Sequence, residues 1–254
     1  MATSQGQFVW YELMTTDIAA AATFYSGVVG WSAADSGMPG MTYTIVSMAD
    51  RPVGGLMPLT AATSGAKPGW TGYVGVENVD ATAAKASQHG GLVCREPSDI
   101  PGVGRFAVLA DPQGAPFVVF HSANPAPEPP APNTPGFAGW HELQATDWQG
   151  AFAFYSELLG WTKAEAVDMG PMGLYQLFAA GREPVGGMMN KQDAGPTPFW
   201  RYYFNTDDID AAGRRIAEHG GEVVSGPHQV PGGSWILHGL DPQGATFALV
   251  GPRA

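Results

Sequence analysis

Cysteine is almost missing from this chain: among 254 residues only Cys94 carries a thiol. An internal disulfide is therefore excluded, and so is a thiolate metal cluster. Charge is scarce too, at 14% of residues, and positive charge is scarcest. Twelve Lys and Arg against 23 Asp and Glu leave a formal net charge of −11. Such a surface repels a phosphate backbone, so nucleic acid is excluded as an expected partner. No apolar run reaches the ~18 residues of a membrane span, and no basic leader with an apolar core opens the sequence. The chain reads as soluble and cytoplasmic, with no membrane partner. Glycine and proline, at 35 and 22 residues, are plentiful instead. Turn formers in that number suit short strands.

What the chain does contain, it contains twice. Glu12-Leu13 recurs as Glu142-Leu143, and Phe24-Tyr25-Ser26 with Gly30-Trp31 recurs as Phe154-Tyr155-Ser156 with Gly160-Trp161. Trp70 and Tyr73 return as Trp200 and Tyr203, and His89-Gly90-Gly91 as His219-Gly220-Gly221. Asp111-Pro112-Gln113-Gly114 returns as Asp241-Pro242-Gln243-Gly244. The offset is 130 throughout except at Pro52-Val53-Gly54-Gly55, which matches Pro184-Val185-Gly186-Gly187 at 132. This is a duplication. It gives two domains, residues 1–121 and 137–254, each long enough for its own core. Between them residues 122–136 carry six prolines, a segment that favours extended polyproline II and acts as a semi-rigid strap.

Within one half, Phe8–Thr15 alternates as a strand. Thr16-Asp17 offers capping oxygens, and Ile18–Val29 is an alanine-rich helix that Gly30 ends. Tyr43–Met48 and Val53–Leu59 read as strands. The pattern then restarts with strand Trp70–Val76 and helix Val79–His89, which stops at Gly90-Gly91. Strands Leu92–Glu96, Arg105–Ala110 and Phe117–His121 follow, with Asp111-Pro112-Gln113-Gly114 as a hairpin turn. Each half is thus two βαβββ units, and the chain is four.

That order, the Phe-Tyr…Gly-Trp at the end of the first helix and the Asp-Pro-Gln-Gly before the last strand resemble the vicinal oxygen chelate superfamily. This group includes glyoxalase I, extradiol dioxygenases, and bleomycin- and fosfomycin-resistance proteins. The resemblance spans both halves and implies an α+β fold of four βαβββ units in two U-shaped mixed sheets, each cupping a small-molecule ligand. It does not imply one reaction, because function lives in the cup and not in the fold. Two cups in one chain mimic the homodimer of shorter relatives, so a monomer with pseudo-dimeric halves or a homodimer is expected.

Metal-dependent members of that family draw ligands from the first, fourth, fifth and eighth strands of each cup. Counted from the Asp that opens the helix, those places fall on Trp10 and Trp140, then Gly55-Leu56-Met57 and Gly187-Met188-Met189. The remaining places fall on Thr71 and Arg201, then Val118 and Ala248. None is a usual ligand for a hard or borderline divalent ion, so no cofactor is expected. The alternative is a divalent metal on a displaced set that uses His141 or Glu142. His141 corresponds to Tyr11 and reads as core packing ahead of metal binding or catalysis.

If Trp10 faces the cup, alternation sends Glu12 there too, and Trp140, Glu142 and Gln144 in the second half. Tyr73, Arg201 and Tyr203 join from the fifth strands, and Met57 and Met189 give adaptable walls. Glu142, Glu12 and Tyr203 are the catalytic candidates. Trp10, Trp140, Tyr73, Arg201, Met57, Met189 and Gln144 are the ligand-binding ones. A glutamate in an apolar cup is expected to have its pKa raised and to serve as general acid or base. The alternative is that each only accepts structural hydrogen bonds. His238 and His228 break the repeat and hint that the second cup is the polar one, although both read first as surface or hairpin residues. His89 and His219, at helix ends, read as capping groups. The expected function is metal-independent proton transfer on a small carbonyl or aromatic metabolite. The alternatives are a sequestering, resistance-type binding protein and a metal-dependent glyoxalase or dioxygenase.

Overall fold

The chain was analysed as a computed structural model, which describes residues 4–60, 65–125, 127–192 and 197–253. Residue 126 of the expected linker lies outside them. The first half runs β1 (Phe8–Thr15), α1 (Ile18–Val29), β2 (Ser32–Asp35), β3 (Thr44–Met48), β4 (Arg51–Pro58), β5 (Gly69–Gly75) and α2 (Val79–Gln88). It closes with β6 (Leu92–Ile100), β7 (Gly104–Ala110) and β8 (Pro116–Ser122). The second half repeats this as β9 (Ala138–Ala145), α3 (Trp148–Leu159), β10 (Thr162–Asp168), β11 (Leu174–Ala179), β12 (Pro184–Asn190) and β13 (Phe199–Asn205). It ends with α4 (Ile209–Glu218), β14 (Glu222–Gln229), β15 (Trp235–Leu240) and β16 (Thr246–Gly251). Each half forms one mixed eight-stranded sheet, in the order β2-β3-β4-β1-β5-β8-β7-β6 and its repeat β10-β11-β12-β9-β13-β16-β15-β14. The fold class is α+β, as the family resemblance implied.

Local chemistry fixes the helices. Asp17 and Asn78 accept hydrogen bonds from Ala20 N and Ala81 N, both at 3.0 Å, and so cap α1 and α2. Asp147 and Asp208 do the same for α3 and α4. A capping carboxylate or amide satisfies an N–H that the helix itself leaves orphaned. Two strands escaped the sequence pattern. Every residue of β2 is exposed, and β10 is nearly as exposed, so neither shows the half-buried alternation that marks a strand. Both are edge strands. The β6 edge runs to Ile100, past Pro97, because its register shifts between Val93 and Arg95 and again between Arg95 and Ser98. A proline is tolerated on such an irregular edge.

The chain packs as two compact units, and each takes one βαβββ module from each half. The first holds Met1–Trp10, Thr71–Glu128 and His141–Trp200; the second holds Tyr11–Trp70, Pro129–Trp140 and Arg201–Ala254. In the second unit Phe24 packs edge-on against Phe247 at 5.5 Å, and Trp31 against Phe204 at 4.9 Å. In the first, Tyr155 stacks on Trp161 and meets Phe117 edge-on, both at 5.2 Å.

The repeated residues of the sequence meet inside these units. Trp70 Nε1 donates to Tyr25 Oη at 2.8 Å, and Tyr25 Oη donates to Asp241 Oδ2 at 3.2 Å. The first unit repeats the relay: Trp200 Nε1 donates to Tyr155 Oη at 3.0 Å, and Tyr155 to Asp111 Oδ2 at 3.2 Å. Each aspartate also accepts from its own turn, Asp241 Oδ1 from Gln243 N and Ala245 N, and Asp111 Oδ1 from Gln113 N and Ala115 N. Burial pushes both carboxyls up in pKa, and the amide donors work against that rise. The Asp-Pro-Gln-Gly turn therefore does more than reverse the chain. It anchors a tyrosine contributed by the other half.

Asp241→Ala should destabilise the fold by about 4 kcal/mol, because it strands two backbone amides and a buried hydroxyl, whereas Tyr25→Phe should cost about 2 kcal/mol, because it strands only the Trp70 N–H and one carboxylate oxygen. Urea unfolding of the two variants checks this. Equal losses would contradict the relay.

Candidate functional site

Alternation on β1 sorts its residues cleanly. Tyr11, Leu13 and Thr15 are buried, while Trp10, Glu12 and Met14 are half-buried on the opposite face. On β9 the counterpart face is more enclosed. Glu142 and Gln144 are each only 8% exposed, and Gln144 Nε2 donates to Glu142 Oε1 at 2.8 Å. Trp140 is half-buried. Met57 stands opposite Met14 in register, and Met189 stands opposite Gln144.

The two glutamates share a further neighbour that the sequence reading overlooked. Glu12 is in register with Gly55 on β4, and Glu142 with Gly187 on β12. A Cβ at Gly55 would lie 2.0 Å from Tyr43 Oη, and one at Gly187 would lie 2.6 Å from Tyr175 Oη. A tyrosine ring therefore crosses the sheet directly over each glycine, one strand from the carboxylate. This explains the second glycine of each pair, since any side chain there would displace the ring; a Cβ at the first, Gly54 or Gly186, would instead strike the carbonyl oxygen of Tyr11 or His141. Tyr43 and Tyr175 are related by the same 132-residue offset as the glycine motif, and that offset is the signal that would have found them.

On the fifth strands the halves part. In the first unit, Tyr73 is buried with Phe106 and Val118, against Val9, Trp10, Ile100, Val108 and Phe120. That face is filled by apolar side chains. In the second unit Tyr203, 2% exposed, hydrogen-bonds His238 Nε2 at 3.0 Å. His238 is held down to a pKa of about 3, by burial first and then by the positive charges of Arg201 and His228. Its imidazole is neutral at pH 7. Arg201 is half-buried on the same strand as Tyr203. His238 is thus no hairpin residue. It lies in the middle of β15, in register with Ala248, which is in turn in register with Tyr203. His228 is exposed and bonds Ser225 Oγ at 3.0 Å. An open groove of ≈490 Å³ beside α4 and β14 has Leu237 in its floor. Leu237 and His238 are strand neighbours and face opposite ways, so that groove is on the helix side of the sheet.

His141 belongs to the interior. Its ring stacks on Phe8 at 3.9 Å and 5°, and Nδ1 bonds the Val185 carbonyl oxygen at 2.6 Å. Burial pushes its pKa down to about 4.

With this geometry in view, comparison with known proteins places the chain. Residues 7–119 and 138–249 each match the family model of the Glyoxalase/Bleomycin resistance protein/Dioxygenase superfamily. The chain belongs to that superfamily. Over 251 residues it is 33% identical to CFP32 of Mycobacterium tuberculosis, a protein provisionally named a glyoxylase, covering 98% of this chain and 95% of that one. Over 260 residues it is 33% identical to the anthracycline biosynthesis protein DnrV of Streptomyces peucetius, covering 96% and 93%. Among solved structures it resembles the Mn(II)-bound glyoxalase of Novosphingobium aromaticivorans, with a TM-score of 0.68 at 17% identity over 99% of this chain and 83% of that one. It also resembles the 2,2',3-trihydroxybiphenyl 1,2-dioxygenase of Sphingomonas wittichii, with a TM-score of 0.69 at 14% identity over 98% and 91%. At those identities the likeness is one of fold. Among the described residues, no helix is long and apolar enough to cross a membrane.

Members of the superfamily that bind a metal need three or four convergent imidazole or carboxylate donors. Among the described residues no three His, Cys, Asp or Glu side chains are grouped to hold an ion.

Protonating His141 requires bringing a charge into the core, so its effect on stability has a definite sign. The unfolded chain takes up this proton near pH 6.5 and the folded chain only near pH 4. Stability from this group is present above pH 6.5 and is lost as pH falls to about 4, by roughly 3 kcal/mol in full. In His141→Gln that part of the pH dependence should vanish. Thermal melts of both proteins from pH 7.5 to 4 test it, and parallel curves would refute it.

Proposed function

We propose that this protein is an enzyme that moves a proton on a small carbonyl or aromatic metabolite without a metal ion, and that Glu142 is the base. The observation that carries the reading is a carboxylate enclosed to 8% exposure and fixed by Gln144. A desolvated, oriented carboxylate is the group a base needs to be, because water no longer competes for it. The Tyr175 ring lies one strand away over Gly187, and in this reading its hydroxyl helps to hold the reacting group beside Glu142. Met189, opposite Gln144, gives an adaptable apolar wall.

In this scheme Glu142 takes a proton from carbon next to a carbonyl, the electron pair passes to the carbonyl oxygen, and the proton returns at a second position. The atoms balance without an oxidant or co-reactant. The names of two relatives support a small-molecule substrate, one provisionally a glyoxylase and one an anthracycline biosynthesis protein. Glu12 is the first-half counterpart, and its more open position makes it the lesser candidate.

Glu142→Gln keeps the size and the hydrogen bond to Gln144 but removes the base. It should lower turnover by about 10³-fold or more while leaving the melting temperature nearly unchanged. Deuterium exchange at carbon next to the carbonyl, followed by NMR over a panel of small ketones, is the assay. Unchanged exchange in the variant would remove the proposal, and wild-type binding without any exchange would instead support a sequestering protein.

A further inference from the structure

The groove beside α4 and β14 takes no part in the chemistry above. It is open and holds ≈490 Å³, within the range of roughly 300–1,000 Å³ that small-molecule sites occupy. Gly213, Arg214 and Ala217 of α4 form one wall, Val223 and Pro227 of β14 form the other, and the buried Leu237 of β15 lies beneath. All of them belong to the second compact unit. Val223 is 37% exposed, and Arg214 and Ala217 are exposed as well, so solvent reaches both walls. The lining is aliphatic apart from Arg214 and Asp210. Asp210 is neutralised, since its Oδ2 accepts from Arg253 Nε at 2.7 Å. Among the described residues Arg214 has no hydrogen-bond or ion-pair partner, not even Glu218 one helical turn further on. Glu218 is exposed, so water and salt screen its charge.

The first half shows that the fold does not require this arrangement. There Ala83, Ala84, Ser87 and Ala107 stand at the positions of Gly213, Arg214, Ala217 and Leu237, while Val93 and Pro97 match Val223 and Pro227. Each difference moves the second half the same way. The helix wall loses a methyl and a hydroxyl, its rim gains a cation, and a leucine is set beneath. Gly213 and Leu237 are coupled, because a Cβ at Gly213 would lie 3.2 Å from Leu237 Cδ1. A glycine inside a helix weakens it relative to alanine. Packing alone does not call for that loss, since the first half meets the same demand with two alanines.

We infer that this groove binds a free alkyl carboxylic acid of medium chain length, with the chain between α4 and β14 and the carboxylate on Arg214. An aliphatic chain suits walls that offer no ring for stacking, and each methylene that leaves water there adds to the driving force. A guanidinium receives a carboxylate through two parallel N–H bonds. The chain as a whole carries a net charge of −11 and repels an anion, so the unpaired Arg214 fixes which end of the groove the head group takes. No residue proposed for proton transfer is involved, and the inference stands or falls separately from the role of Glu142.

The test is titration calorimetry of the full chain with butanoate, hexanoate, octanoate and decanoate, and with 1-octanol as the uncharged counterpart, all at submicellar concentrations. Affinity should rise about two- to fourfold with each added methylene until the groove is filled. Octanoate should bind about three- to fivefold tighter than 1-octanol, the scale of an exposed ion pair. Arg214→Ala, which installs the first-half residue, should erase that preference and keep the dependence on chain length, and Arg214→Lys should retain part of it. Ala217→Trp, at an exposed helix position, fills the groove and should weaken octanoate at least about tenfold. Circular dichroism confirms that each variant is folded. No binding of any acid, affinity that ignores chain length, or an Ala217→Trp protein that binds octanoate as the wild type does overturns the inference. Concentration-dependent dimerisation that Ala217→Trp abolishes would also overturn it, by giving the groove to a second copy of the chain.

Discussion

A buried tyrosine hydroxyl held between an indole N–H and an aspartate carboxylate is the constraint on which this molecule is built. It occurs twice, as Trp70–Tyr25–Asp241 and as Trp200–Tyr155–Asp111. Neither hydroxyl can be left unsatisfied in the core without a cost of about 1–3 kcal/mol, and neither carboxylate can be buried without its amide donors. Each relay joins an aromatic helix end from one half to a tight turn from the other. Much of what the sequence repeats, the Phe-Tyr, the Trp after it and the Asp-Pro-Gln-Gly, is conserved between halves because these residues interlock.

A scaffold secured this way leaves the opposite face of each sheet free to change. The two halves used that freedom differently. In the first, Phe106, Phe120 and Trp10 fill the space around Tyr73. In the second, the equivalent tyrosine bonds a neutral histidine and shares its strand with an arginine. Glu142 is enclosed and oriented where Glu12 stays half-open. Duplication supplied two copies of each strand, and the copies differ in burial and in polar partners.

The elements were largely legible in the chain. Strand Phe8–Thr15 and helix Ile18–Val29 were bounded correctly because alternation, a capping Asp17 and a terminating Gly30 all agree. Strands β2 and β10 were not, since an edge that is wholly or mostly exposed leaves no hydrophobic period to read. The site was legible in part. Strand parity separated Glu12 and Glu142 from the core side chains beside them. Tyr43 and Tyr175 escaped because a ring lying over a glycine is a contact between strands and leaves no local pattern. His238 stood out as a break in the repeat but read first as a surface or hairpin residue, because its partner is 35 residues away, across an alanine on the strand between.

The claim at the centre of the proposed function is that the chain works with its own side chains and without a metal ion, unlike the Mn(II)-bound glyoxalase that it resembles in fold. Elemental analysis of protein purified without chelator or affinity metal tests it most directly. The account predicts far less than one equivalent of any divalent metal per chain, with ligand binding unaltered by a chelator. A full equivalent of manganese, iron or zinc that survives dialysis, with activity lost on its removal, would contradict it.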